Sequence, residues 1–105
     1  EIYGALGDGT DIKFNINNIT TTSVNKTLSN FDYCTVLSDG LTLTLPPNPA
    51  IGDKVTIGIF GDFINTTVAR NESNIMGLAE NITIDSGYVT LTLIYINSTL
   101  GWRIS

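Results

Sequence analysis

Apolar and polar residues alternate with a period of two along most of this chain, and this pattern constrains the fold more than any other feature. Leu41, Leu43 and Leu45 alternate with Thr42 and Thr44, and the same spacing recurs in later segments. No segment keeps apolar residues at helical spacing for three turns. Because successive side chains of a strand point to opposite faces of a sheet, the pattern predicts an all-β fold with one buried face per strand.

Turn signals divide the chain into about eight short strands, which favours an antiparallel β-sandwich or jelly roll, with a small barrel as the alternative. Asp39 and Gly40 predict a tight hairpin between residues 33–37 and 41–45, because such a pair supplies positive φ angles. A second hairpin is predicted between residues 88–96 and 101–104. Two further strands are predicted to turn alternate side chains into the core, one with Val55, Ile57 and Ile59 and the other with Val89, Leu91, Leu93 and Tyr95. A strand over residues 12–16 and a turn over residues 71–74 are also predicted.

The 105 residues fit one domain, which we divide into an extended arm or edge segment, residues 1–30, and a β-sandwich domain, residues 31–105. Residues 17–30 have only Ile19, Val24 and Leu28 to bury. They cannot alone offset an ordering entropy of about 1 to 2 kcal/mol per residue. We therefore expect the arm to be extended, bonded to a neighbouring subunit or to the edge of its own sheet, and dispensable for folding. A chain that begins at Glu1 without Met can be a fragment or a processed product.

Composition narrows the classes of partner. Charged residues make up 14% and hydrophobic residues 42%, and a surface so poor in charge suits subunit contacts. The net charge is −5 and the five bases are scattered, which argues against nucleic acid because phosphate binding needs clustered Lys and Arg. The apolar stretch of residues 89–96 is too short to span a bilayer, so no membrane insertion is expected.

The sequence offers few residues for chemistry, and we assign no catalytic, cofactor-binding or metal-binding residue. Histidine, the commonest general base and metal ligand, is missing from it. Cys34 is interpreted as a small buried hydrophobe. Residues 6–11 are predicted to form a turn, with a calcium loop as the weaker alternative, because the third acidic or amide ligand and the distal Glu of that pattern are missing. Four other acids are assigned to glycine-containing turns, where Asp bonds the local backbone: Asp39, Asp53, Asp62 and Asp85.

Asparagine sequons are in excess of what the composition gives by chance. A glycosylated secreted protein is one interpretation. The favoured one is that Asn and Thr dominate the turns and strand rims of a β protein. The six sequons begin at Asn18, Asn25, Asn65, Asn71, Asn81 and Asn97.

Several short motifs in the second half of the chain occur in a familiar order. A strand ending in Thr-Leu-Pro at residues 44–46 leads through Gly-Asp at 52–53 to an Arg-Asn turn at 70–71 and closes on Gly101 and Trp102. In this order they resemble a β module of tailed-bacteriophage virion structural proteins, notably marine ones, over residues 33–104. The resemblance implies a homo-oligomer, a trimer above all, and no catalytic residues.

The leading functional expectation is therefore a non-enzymatic virion protein located outside the host cell. It would be a tail-fibre or tail-tip module that contacts other virion proteins and a host surface glycan or protein. The alternative is a capsid decoration protein that cements the phage head with its N-terminal arm. A glycan-hydrolysing spike would need two carboxylates about 5 to 9.5 Å apart. A carbohydrate-binding module would need an exposed row of aromatic residues, and most of the nine aromatics stand at core positions of the pattern.

Four residues are assigned structural roles. Ile94 and Ile96 fall on the otherwise polar face of the long strand, so we expect another copy of the chain to cover them. Gly101 allows a close approach of the chain. Trp102 is expected to anchor one end of the sandwich, and its truncation to Ala to cost about 3 to 5 kcal/mol.

Overall fold

The structure is a computed structural model that describes residues 18–104. The described part of the chain is all-β, without a helix, which confirms the predicted fold class. Its strands are short and follow one another at small intervals: β1 (Asn18–Thr22), β2 (Lys26–Thr27), β3 (Asp32–Val36), β4 (Thr42–Thr44), β5 (Lys54–Ile59), β6 (Thr66–Ala69), β7 (Ile82–Ile84), β8 (Thr90–Asn97) and β9 (Gly101–Ile104).

The chain winds alternately between two sheets. From β1 to β6, odd strands enter a five-stranded sheet and even strands a four-stranded sheet, in the orders β1-β3-β5-β8-β9 and β2-β4-β6-β7. Strands β1, β3 and β5 are parallel, as are β2, β4 and β6. The last three strands pair antiparallel and end the winding. Each turn of the winding thus adds one strand to each sheet.

This winding creates two edges of different kind. We call the first the outgoing edge, where the chain passes from the five-stranded to the four-stranded sheet and back into β8: residues 23–25, 37–41, 60–65 and 85–89. We call the second the return edge, where the chain comes back or turns within one sheet: residues 28–31, 45–53, 70–81 and 98–100. All the surface loops of the described region therefore belong to one of these two edges.

One core lies between the sheets. Leu93 and Ile57 contribute to it from the five-stranded sheet, and Leu43 and Val68 from the four-stranded sheet, all without solvent exposure. Cys34 is fully buried there, as expected of a small hydrophobe. Burial alternates along β3 and β4, so the period of two in the sequence does report which side chains enter the core.

The hairpin predicted at Asp39 and Gly40 is wrong. Its two strands, β3 and β4, lie in different sheets, and Gly40 alone of the pair has a positive φ, 69°, whereas the predicted turn needs two. The pair bonds a neighbouring turn instead, because Gly40 N donates to the Ile64 carbonyl at 3.0 Å. Leu41, Leu43 and Leu45 are buried as predicted, since strands that face each other across a core show the same alternation as a hairpin.

The pairing of the sheets also differs from the expectation. Both sheets are mixed, so the purely antiparallel sandwich or jelly roll is not the arrangement observed. The physical reason is the winding, because consecutive strands that alternate between sheets return to each sheet in the same direction. The second predicted hairpin, β8 with β9, is confirmed.

The N-terminal arm is extended where the structure describes it. β1 pairs with β3 and β2 with β4, each at the edge of its own sheet, which is one of the two expected arrangements. Leu28 is buried in the core, whereas Ile19 and Val24 are exposed. The predicted strand over residues 12–16 and the predicted turn at residues 6–11 lie outside the described residues, and the division at residue 30 stays a prediction.

Candidate functional site

Two aromatic rings project from the outgoing edge. Phe60 and Tyr88 are 73% and 66% exposed, although both are large apolar side chains. Their ring centroids lie 6.0 Å apart with an angle of 70° between the planes, an edge-to-face arrangement that aromatic pairs prefer. The two side chains therefore contact each other while most of their surface stays open to solvent.

The position of Phe60 follows from the phase of β5. Val55, Ile57 and Ile59 point into the core, so the next residue along the strand points outward. Tyr88 comes just before β8, which pairs antiparallel with β5. Because the start of β8 lies beside the end of β5, the strand register brings the two rings together.

The backbones beneath the rings are in close contact. Ile59 N donates to the Val89 carbonyl at 2.7 Å, and Tyr88 N donates to the Gly61 carbonyl at 3.1 Å. A Cβ atom added at Gly87 would lie 2.8 Å from the Asp62 Cα and even closer to the Gly61 carbonyl, so no larger residue fits there. The two turns consequently hold the ring pair on a backbone with little freedom to separate.

Tyr88 is held in a conformation that costs free energy. Its φ is 54°, in the left-handed region that bulky residues rarely adopt. Such residues cost about 1 to 3 kcal/mol and are concentrated at binding and active sites. Phe31 and Met76 on the return edge are exposed at a positive φ as well, so what distinguishes Tyr88 is its contact with a second exposed ring.

The charge along the outgoing edge has one sign. Asp39, Asp62 and Asp85 are exposed in its turns, and its residues include no Lys or Arg. Asp39 was predicted to bond the backbone of its own turn, but its Oδ1 accepts a hydrogen bond from Ile64 N, in the next outgoing turn, at 2.8 Å. An acidic edge with open aromatic faces suits apolar or cationic groups and repels phosphates.

Ile94 and Ile96, the predicted oligomer interface, lie half-buried on the outer face of β8. Ile94 stands between Lys54 of β5 and Arg103 of β9 in the sheet. Ile96 lines a small apolar hollow of about 190 Å³ together with Met76, Leu100, Trp102 and Arg103. The structure holds a single chain, so their coverage by a second copy stays a prediction.

Gly101 and Trp102, the predicted anchor, lie at the opposite edge from the aromatic pair. Trp102 is fully buried, and its ring packs edge to face on Tyr95 with centroids 5.5 Å apart. Trp102 N donates to the Asn74 carbonyl at 2.8 Å. A Cβ atom at Gly101 would lie 2.8 Å from the Asn74 Cα, so this contact needs a glycine. The residues thus fasten β9 to the loop before β7.

The sequon asparagines bond the backbone at several turns. Asn25 Oδ1 accepts from Thr42 N at 2.9 Å, and Asn81 Oδ1 accepts from Arg70 N at 2.9 Å. Asn97 Oδ1 accepts from Leu100 N at 2.7 Å, and Asn71 Nδ2 donates to the Leu45 carbonyl at 2.9 Å. These bonds agree with the structural interpretation of the sequons.

The remaining assignments concern metals and membranes. Among residues 18–104, no group of three or more His, Cys, Asp or Glu is placed to hold a metal ion. Nor does that region contain a helix of the length and apolarity that a membrane crossing requires. Asp53, another predicted turn residue, accepts a hydrogen bond from Ala50 N at 2.9 Å.

Sequence reasoning missed the aromatic pair. The signal was present, because Phe60 and Tyr88 each adjoin a turn glycine, Gly61 and Gly87, and Phe60 is out of phase with the core positions of β5. The contact between the two rings could not be predicted without knowing that β5 pairs with β8.

No protein-family model matches the chain, and no curated protein is significantly similar to it.

Proposed function

We propose that this chain is a non-enzymatic structural protein of a bacteriophage virion, a tail-fibre or tail-tip module that engages the host surface through its outgoing edge. The order of short motifs between residues 44 and 102 supports the phage assignment. The observation that carries the engagement of a surface is the exposed pair of Phe60 and Tyr88 on a closely packed backbone.

Aromatic residues dominate the energetics of recognition surfaces. They bury a large area, and they lose little conformational entropy on binding because they have only two side-chain torsions. The pair formed by Phe60 and Tyr88 is already ordered by its ring contact, so less entropy remains to be lost. The site is therefore suited to contact another molecule without rearrangement.

The acidic turns restrict which host molecules the edge accepts. Asp62 and Asp85 flank the rings with negative charge, which disfavours phosphate-rich polymers. Aromatic faces attract ammonium and guanidinium groups. We propose a host protein or an amino-substituted glycan as the receptor of this edge.

The structure of residues 18–30 bears on the choice between tail and head. A capsid decoration protein would use residues 1–30 as a clamp over neighbouring subunits. The backbone of β1 and β2 is bonded on one side to β3 and β4 of the same chain, so part of its hydrogen-bonding capacity is already used. We therefore favour the tail module, placed on the outside of the virion as a homotrimer in which Ile94 and Ile96 meet neighbouring copies.

The test is adsorption of the purified, fluorescently labelled chain to a panel of marine bacterial strains. The expected result is saturable binding to a subset of strains. Phe60→Ala and Tyr88→Ala should each weaken that binding about tenfold, which corresponds to about 1.4 kcal/mol.

The matched control is Ile51→Ala. Ile51 is 78% exposed, as apolar as Phe60, and lies on the return edge. Its substitution should leave adsorption unchanged. Adsorption to no strain, or an equal loss with Ile51→Ala, would contradict the proposal, and labelling of phage heads rather than tails by an antibody to the chain would favour the decoration protein.

A further inference from the structure

A polar groove of about 370 Å³ lies on the return edge, away from the aromatic pair. Residues 47–49 form one wall, residues 71–73 form the other, and Tyr95 of β8 completes the lining. Its volume is within the roughly 300 to 1,000 Å³ of small-molecule sites. The groove is therefore large enough for one small ligand.

The lining combines hydrogen-bonding groups with flat apolar rings. Amides of Asn48 and Asn71, the Glu72 carboxylate and the hydroxyls of Ser73 and Tyr95 supply donors and acceptors. The two lining prolines and Tyr95 add a smaller apolar share, since most of the exposed lining is polar. A saccharide presents this same mixture, hydroxyls around its rim and C–H groups on its faces.

Tyr95 is fixed from three directions. Gly52 N donates to its carbonyl at 2.9 Å, and its own N–H donates to the Asp53 carbonyl at 2.8 Å. Its ring packs against Trp102, which is fully buried. Residues 47–49, Gly52 and Asp53 belong to one loop, so these two bonds join the first wall to the Tyr95 backbone.

The second wall is also braced. Ser73 N donates to the Arg70 carbonyl at 3.1 Å, and Arg70 Nη1 donates to the Ser73 carbonyl at 2.9 Å. Asn71 Nδ2 donates to the Leu45 carbonyl at 2.9 Å, which ties this wall to the strand end that leads into the first. The two walls therefore have a fixed separation.

Three lining residues have left-handed backbone conformations. The φ angles of Asn48, Asn71 and Glu72 are 48°, 47° and 71°. Asn tolerates this region, but Glu does so at a cost, and such outliers are concentrated at ligand sites. The conformation of Glu72 sets where its carboxylate stands at the groove.

The charge of the lining decides between classes of ligand. Glu72 is the single charged residue among the lining residues, and no Lys or Arg is among them. An anion would meet the Glu72 carboxylate, while the Arg70 guanidinium that braces the wall is engaged with the Ser73 carbonyl, and a metal ion would find one carboxylate only. A purely apolar ligand would leave the amides and hydroxyls without hydrogen bonds. A neutral polyhydroxylated ligand satisfies the lining best.

We propose that this groove binds a neutral saccharide, with Glu72 and Tyr95 accepting and donating hydrogen bonds to its hydroxyls. The inference stands on the groove alone and does not depend on a virion role or on the aromatic pair. With one carboxylate in its lining, the groove is proposed to bind the saccharide and leave its glycosidic bonds intact.

The experiment is a titration of the ¹⁵N-labelled chain with glucose, galactose and N-acetylglucosamine, followed by amide chemical shifts. At least one sugar should shift residues 47–49 and 71–73, with a dissociation constant of about 1 mM. Glu72→Gln and Tyr95→Phe should each weaken binding about five- to tenfold. Glu72→Gln replaces a charged acceptor oxygen by an NH2 donor, Tyr95→Phe removes a hydroxyl, and both keep the shape. Tyr95→Phe also keeps the ring that packs on Trp102.

The matched control is Glu80→Gln, which removes an exposed carboxylate of the same edge outside the groove and should not change binding. Inorganic phosphate should produce no shift at the groove. The proposal would be overturned by the absence of shifts at residues 47–49 and 71–73 with all three sugars, by shifts confined to the outgoing edge, or by binding that Glu72→Gln leaves intact. Shifts on the outgoing edge alone would still leave the proposed host-surface function standing, so the two failures are distinguishable.

Discussion

The outgoing and return edges are made by the same winding, yet they differ in chemistry and in what their side chains do. The outgoing turns hold at most six residues, and three apolar side chains on them, Val24, Phe60 and Tyr88, are largely exposed. The return edge holds the longest connections, residues 45–53 and 70–81, which are rich in Asn and Pro. One edge displays rings to solvent, and the other encloses a polar groove.

The difference shows how loop length divides the tasks of stability and recognition. A short turn has no residues to spare for folding back on itself, so an apolar side chain on it stays exposed unless the core is within reach. A longer loop can send a residue back into the core, as residues 70–81 of the return edge do with Ile75. We infer that the return edge contributes more to stability and the outgoing edge contributes more to contact with partners.

The largest effect should come from a pair of substitutions, one on each edge. Leu28 is 1% exposed on the return edge, and Leu28→Ala should lower the free energy of unfolding by about 2 to 5 kcal/mol because it leaves a cavity. Val24 is 68% exposed on the outgoing edge, and Val24→Ala should change it by no more than about 0.5 kcal/mol. Urea unfolding monitored by Trp102 fluorescence measures both.

Both residues belong to the N-terminal segment, so this pair also tests the division at residue 30. A large loss for Leu28→Ala would mean that the segment belongs to the core of the domain. Equal and small losses for the two variants would instead support a dispensable arm and would break the comparison between the edges.

A smaller loss of stability is expected where the outgoing turns of residues 60–65 and 85–89 meet. Gly87→Ala places a methyl group against the Gly61 carbonyl and the Asp62 backbone, and overpacking of this kind costs about 1 to 3 kcal/mol. The turns should separate, so the amide shifts of Phe60 and Tyr88 should change and adsorption to bacteria should weaken. Ser86→Ala, in the same turn, is the control and should change neither. Unchanged shifts with Gly87→Ala would show that the backbone contact does not position the rings.

The sequence predicts the buried faces better than the partners of each strand. Alternation placed Leu43 and Leu93 in the core, because the period of two depends only on which side of a strand is covered. It could not tell that β3 and β4 belong to different sheets, since a hairpin and a crossing of the core give the same pattern. The parallel neighbours of each strand are set by contacts between residues far apart in the chain.

The same limit applies to both candidate sites. Asp53 bonds the local backbone as predicted, because turn chemistry is local, whereas Asp39 bonds the Ile64 amide of another turn. The turn at residues 71–74 was likewise predicted from composition, but its approach to residues 47–49 depends on the pairing of β4 with β6. Phe60 and Tyr88 meet only through the pairing of β5 with β8. Each site joins segments whose proximity is a property of the winding.

The smallest expected change in stability separates recognition from folding on the outgoing edge. Tyr88→Asn removes an exposed ring at a φ of 54° and substitutes a residue that tolerates the left-handed region. Relief of backbone strain should offset the lost ring contact with Phe60, so the free energy of unfolding should stay equal or rise by about 0.5 kcal/mol. Adsorption to bacteria should nevertheless fall about tenfold, because the ring itself makes the contact.

Asn71→Ala is the comparison on the return edge, because it loses the bond to the Leu45 carbonyl. It should lower the free energy of unfolding by about 1 kcal/mol without weakening adsorption. A clear loss of stability with Tyr88→Asn would mean that the ring is held for packing, and the outgoing edge would then differ from the return edge in exposure alone.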